Sequence, residues 1–184
     1  RQLEAEGFAH ARPRRGAVVA TISSERLQEM FVVMADLEAL CAHHAATLMS
    51  RAERAELEAA QAACGRAVSS GDIEAYKAAN ERFHDTLYRG ARNGFLAELT
   101  ASVRRKVAPF RRAQFHTLGR LQKSFAEHQA IVDAVLRGEA EKAANAMRAH
   151  LMTVEKAAEE VAFGEAPEPA TAKSTPLTAK PLLS

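Results

Sequence analysis

Cysteine is scarce in this chain of 184 residues: Cys41 and Cys64 are its only two, both inside alanine-rich stretches of helical character. A pair so placed builds no disulfide framework. It points to a reducing compartment, with each thiol acting as a small core filler. An excess of one charge is missing too, since 25 Lys and Arg stand against 23 Asp and Glu, a formal +2. That balance does not advertise nucleic-acid binding, so any DNA contact must come from a local cluster. Such clusters occur from Arg12 to Arg15 and from Arg104 to Arg112. No apolar run approaches the roughly 18 to 20 residues that a membrane span needs, and no signal-peptide pattern opens the chain. A cytoplasmic location is the expectation.

What is present is an ordinary globular composition, 47% hydrophobic and 26% charged, enough for one well-buried domain with appendages. The chain opens at Arg1 within what reads as a helix, without an N-cap, so a fragment of a longer protein is expected. Residues 1–22 differ from the rest. Gly7 stops the opening helix, and Phe8 to Arg12 and Ala17 to Ala20 flank Pro13, Arg14, Arg15 and Gly16, which reads as a β-hairpin with a basic turn. Residues 164–184 hold Pro167, Pro169, Pro176 and Pro181, four of the six prolines, and no aromatic residue. Nothing there repays the entropy of ordering, so a disordered tail is expected.

Residues 23–163 carry helical periodicity throughout. Ser23 or Ser24 caps a first helix whose stripe is Met30, Val33, Leu37, Leu40, Cys41, His44 and Leu48. A second runs from about Arg51 to Val68, and a third from the cap Asp72 through Ile73, Tyr76, Asn80, Phe83, His84 and Leu87 to about Arg89. Phe95, Leu99, Val103 and Val107 mark the fourth, which Pro109 should kink or interrupt. Leu118, Leu121, Phe125, His128, Val132 and Val135 mark the fifth, stopped by Gly138; Ala143, Met147, His150, Val154, Ala158 and Val161 mark the sixth, stopped by Gly164. Six helices on short connections make an all-α fold, an antiparallel six-helix bundle.

His84, His128 and His150 each fall on the apolar stripe of a different helix, and Asn80 lies one turn before His84 on the same face. A lone histidine on such a stripe is ordinarily a core residue bonded to a carbonyl. Three of them with an amide beside them form a candidate metal cage, because one divalent cation satisfies all three rings. A catalytic metalloenzyme is the competing class. Its di-iron form fails on count: Glu81 and His84 form one Glu-x-x-His element, but neither His128 nor His150 has a glutamate at that spacing. For hydrolysis the candidate bases Glu81 and Glu127 flank inward positions and should point sideways. His44 is a candidate fifth ligand, pocket donor or buried structural residue. Arg104 and Arg111 share a helix side, and one of them turned inward would clamp a carboxylate.

The stretches Asn80, Glu81, Arg82, Phe83, His84, then Asn93 to Leu96, Glu127 to Ile131 and Arg148 to Leu151 resemble the ligand-binding and dimerisation domain (FCD type) of the FadR subfamily of GntR transcription regulators. Arg1 to Phe8 and Arg12 to Val19 resemble the end of that family's recognition helix and its wing, so the likeness covers about residues 1–163. It implies an FCD-like helical effector-binding and dimerisation domain over 23–163, the remnant of a winged helix-turn-helix domain over 1–22, and no enzyme activity. It also implies a central metal held by Asn80, His84, His128 and His150, with Zn²⁺ the first choice and Ni²⁺ or Mn²⁺ alternatives, and a small organic acid bound beside it. His44, Arg104 and Arg111 are the candidate effector contacts. Arg14, Arg15 and Gly16 match the wing tip that enters the minor groove of operator DNA. The implied function is a metabolite-responsive repressor reading a palindromic operator as a homodimer; the alternative is a metal-dependent enzyme or stand-alone sensor on the same bundle.

Two departures stand out. The first ligand position is more often Asp, and Asn supplies only a neutral oxygen, leaving the site one charge more positive and favouring an anionic effector. Many relatives carry arginine three residues before a Leu-Glu pair, whereas Leu37 and Glu38 are preceded here by Met34.

Overall fold

The structure is a computed structural model describing residues 9–12, 16–19, 22–117 and 119–163. Strands β1 (Ala9–Arg12) and β2 (Gly16–Val19) pair antiparallel, with Ala9 opposite Val19 and Arg12 opposite Gly16. Seven α-helices follow: α1 (Ser24–Leu48), α2 (Arg51–Ser70), α3 (Ile73–Gly90), α4 (Gly94–Lys106), α5 (Ala108–Ala113), α6 (Arg120–Leu136) and α7 (Ala140–Phe163), with a 3₁₀ turn at Gln114–His116 before α6. Among the described residues from 22 onward the architecture is an all-α bundle. The opening helix, the turn at Pro13 to Arg15, Leu118 and the tail lie outside the described residues.

The helix starts follow from their caps. Ser23 accepts from the Arg26 amide, Asp72 from Ala75 and Asn93 from Leu96. Ser50 and Glu53 form a reciprocal capping box at the start of α2. Gly71 ends that helix in the left-handed region, φ 69°, where a side chain is strained. Of the kink or interruption expected at Pro109, the structure shows the interruption. The chain breaks at Val107 and restarts as α5, with proline in its first turn where its missing N–H costs nothing. The single fourth helix of the sequence reading is therefore two helices and a 3₁₀ turn.

The face of α1 is a correction. The apolar stripe assigned from the sequence includes Val33, Leu40 and Leu48, which are about half exposed. The buried face is instead Leu27, Phe31, Met34, Ala35, Glu38, Ala39, Cys41, Ala42, Ala45 and Ala46, with only Cys41 common to both. Alanine fills half of it, because α1 lies close against α7 and small side chains set that spacing. By length and composition α1 is also apolar enough to cross a membrane, which the sequence reading did not register. Half of its apolar window is buried inside the bundle, and it carries the fully buried Glu38 in an ion pair, so its apolar content serves the core. The main core joins α1, α3, α6 and α7 through Phe31, Phe83, Leu87, Ile131, Met147 and Leu151.

Candidate metal centre

Helices α3, α6 and α7 each deliver one imidazole to the middle of this core. His84, His128 and His150 are 0 to 3% exposed, and one ring nitrogen from each lies within 4.8 Å of the other two. Nε2 of His128 faces Nε2 of His150 at 3.3 Å. The His84 ring lies edge-on to that of His128, centroids 5.2 Å apart, and Phe83 stacks on His128 at 4.1 Å. The rings are thus held by packing on all sides.

Two carboxylates decide which nitrogen of each ring is free. His84 donates through Nδ1 to Glu38 Oε2 at 2.6 Å, and His150 donates through Nδ1 to Glu127 Oε2 at 2.7 Å. Both Nε2 atoms then carry lone pairs aimed inward, the arrangement in which a carboxylate orients a metal-ligating histidine. His128 has Nδ1 buried without a partner among the described residues, and its Nε2 faces the lone pair of His150. With Nε2 protonated, His128 donates to His150 at this distance; in the other tautomer its Nε2 lone pair joins those of the other two rings, and one divalent cation can accept all three, so the residues fit such an ion. Burial, reinforced by Arg104, pushes the His84 pKa down to about 3. Burial likewise lowers His128 and His150, so all three rings are neutral donors at neutral pH. Burial alone would raise Glu38, but Arg104 and His84 hold its carboxyl well below the usual range. The Glu38–His84 contact is therefore a carboxylate accepting from a neutral imidazole, and the ion pair at Glu38 is with Arg104.

Arg104 Nη1 donates to Glu38 Oε1 at 2.7 Å, and Arg111 Nη2 to Glu81 Oε1 at 2.6 Å. Both guanidiniums are 3% exposed and turn inward. Asn80 is 2% exposed on α3; with its carboxamide oxygen toward the guanidiniums, it accepts from Arg104 Nη2 at 3.2 Å and Arg111 Nη1 at 3.3 Å. Asn80, His84, Arg104, Arg111, Gln114 and His150 border one void of about 10 Å³, the room of about one water. His44 is half-buried with its ring edge-on to His43 at 5.4 Å, and it does not border this void. Gly16 opens β2, while Arg14 and Arg15 fall outside the described residues.

The sequence reading missed Glu38, Glu127 and Arg120. Glu127 was expected to point sideways; it reaches His150 and also accepts from Arg120 at 3.2 Å. Glu81 is likewise not a spectator, since Arg111 and Arg112 both donate to it, and with Arg111 and Arg104 outweighing its partial burial its pKa falls to about 2. A signal existed for Glu38: it lies four residues after Met34 and three before Cys41, a carboxylate on the true buried face of α1.

Comparisons with known proteins place this arrangement. The FCD domain profile matches residues 29–153. The fold is similar to that of E. coli McbR/YncC, at 16% identity and TM-score 0.72, covering 83% of this chain and 73% of that one. It is similar to Streptococcus agalactiae GntR, at 18% identity and TM-score 0.62, covering 84% and 77%. It also matches the metal-free FCD domain of TM0439, at 18% identity and TM-score 0.65, covering 79% of this chain and all (100%) of that one. No curated protein is significantly similar in sequence. A profile match over residues 29–153, most of the helical region, shows that the chain belongs to the FCD domain family.

Proposed function

We propose that this chain is the sensing part of a metabolite-responsive transcription regulator of the GntR family, FadR subfamily, acting as a repressor. Helical residues 23–163 bind a divalent metal and a small carboxylate effector and form the homodimer. Asn80, His84, His128 and His150 are the ligand set, and Zn²⁺ suits three imidazoles best, ahead of Ni²⁺ or Mn²⁺. Bound there, the metal supplies an anchor for a carboxylate oxygen, and no turnover is expected. Arg104 and Arg111 border the same void and offer charge to an effector; His44 lies outside it and has a weaker case. For Asn80 to serve as ligand, its oxygen must leave Arg104 and Arg111, which frees both guanidiniums for the effector.

The observation that carries the reading is the pair of carboxylates, Glu38 and Glu127, each fixing one histidine with Nε2 free and inward. A core histidine also needs an acceptor for its N–H, but not the convergence of one ring nitrogen from each of three helices within 4.8 Å. The β1–β2 hairpin is read as the wing of a winged helix-turn-helix domain over residues 1–22, with Arg14, Arg15 and Gly16 at its tip in the minor groove of operator DNA. Exposed Val33 and Leu40 on α1, and Phe95 and Leu99 on the neighbouring α4, offer an apolar face for a second copy. Residues 164–184 are left without a role, and a cytoplasmic location accords with a DNA-bound partner.

The test is elemental analysis of protein purified without chelator or a nickel column. One divalent ion per chain, lost in His84→Ala and His128→Ala, supports the reading; metal-free wild type with no uptake of added Zn²⁺ defeats it.

A further inference from the structure

Arg104 and Arg111 border a second, larger space. This pocket, of about 220 Å³, is walled by Glu81, Asp85, Arg104, Arg105, Arg111 and Arg112, with no histidine on its lining. Its cations share few anions. The Glu81 carboxylate accepts from Arg111 Nη2 at 2.6 Å and Arg112 Nη2 at 3.2 Å, and lies 3.6 Å from Arg104 Nε. Nε of Arg104 and Nε of Arg111, on residues only 3% exposed, have no hydrogen-bond partner among the described residues. Burying guanidinium N–H groups without a partner is costly, and the two side chains that carry them line the pocket, so an added acceptor would offset that cost.

From this geometry we propose that the pocket is an anion site in its own right, taking a small doubly charged oxyanion, and that Glu81 is the internal carboxylate holding its place. The charge count selects the ligand. Four guanidiniums line the space, and Glu38, Glu81 and Asp85 stand against them. One positive charge remains while Glu81 is engaged, and two remain once it swings away. Glu81 has somewhere to go, since its side chain is 31% exposed and leaving the guanidiniums takes its carboxylate into water. A dianion restores neutrality; a monoanion does no better than Glu81 already does. Arg104 and Arg111 border both spaces, but this site needs no metal, so its failure is distinguishable from that of the centre proposed above.

Titration calorimetry on chelator-treated protein, in chloride-free buffer at constant ionic strength, tests it with inorganic phosphate, succinate and acetate. Saturable binding of phosphate or succinate at one per chain is expected, about tenfold or more tighter than acetate. Glu81→Gln should tighten the dianion about tenfold, and Arg112→Ala should weaken it about tenfold with unchanged melting, since Arg112 is half exposed. Preference for phosphate assigns a phosphomonoester-like ligand, and preference for succinate a dicarboxylate. No saturable dianion binding even in Glu81→Gln overturns the proposal. So does binding that requires added Zn²⁺ or vanishes in His84→Ala, because the anion then sits at the histidines.

Discussion

Glu38 shows how much one buried carboxylate can hold in place. It orders His84 through Nδ1 and neutralises Arg104, so removing it strips the ring of its orientation and strands a guanidinium in the core. Glu38→Ala should lower unfolding free energy by about 3 to 5 kcal/mol in urea denaturation, the usual cost of orphaning a buried charge. Glu127 is the milder probe, being half-buried and closer to solvent. Glu127→Gln should fold normally yet weaken Zn²⁺ affinity about 10- to 100-fold by competitive chelator titration, as expected when a ligating histidine loses its orienting carboxylate. Unchanged affinity would detach His150 from the proposed site. The histidines were legible in the sequence because each breaks an otherwise apolar stripe. Their carboxylate partners were not: Glu38 lies 46 residues from His84 and Glu127 lies 23 from His150, separations that no helical period connects.

At the scale of the element, local chemistry predicted starts and stops better than it predicted facing. Ser23, Asp72 and Gly138 act where their side chains or their freedom of φ suggest, because capping is decided within one turn. The face of α1 went wrong for the opposite reason. A helix with so many alanines has apolar residues all round, so periodicity alone does not rank its sides. The α2 capping box gives a local test: Ser50→Ala should cost about 1 kcal/mol of stability by denaturant titration. A loss near zero would show that Glu53, which also pairs with Arg92, secures the helix start unaided.

Across the whole molecule, the imidazoles join three rods that are far apart in sequence. A cation held by α3, α6 and α7 binds the folded bundle and not the open chain, so it should stabilise by about 2.7 kcal/mol at a free concentration 100 times its Kd. Melting followed by circular dichroism should rise with Zn²⁺ and fall on chelation, and His128→Ala should abolish the difference. The exposed apolar face makes a separate prediction. Phe95 is 78% exposed, so Phe95→Glu should leave the helical spectrum intact while light scattering reports a shift from dimer to monomer. A wild-type monomer at micromolar concentration would remove that face from the account.

The amino-acid order by itself determined the helical class, the break at Pro109, the presence of a hairpin before the first long helix and the inward placing of three imidazoles, since propensity, capping and hydrophobic period act over a few residues. Which carboxylate meets which ring, which side of α1 is buried, and how Arg104 and Arg111 come to border two spaces were decided by tertiary packing. Those relations depend on distances between helices, and only the assembled core sets them.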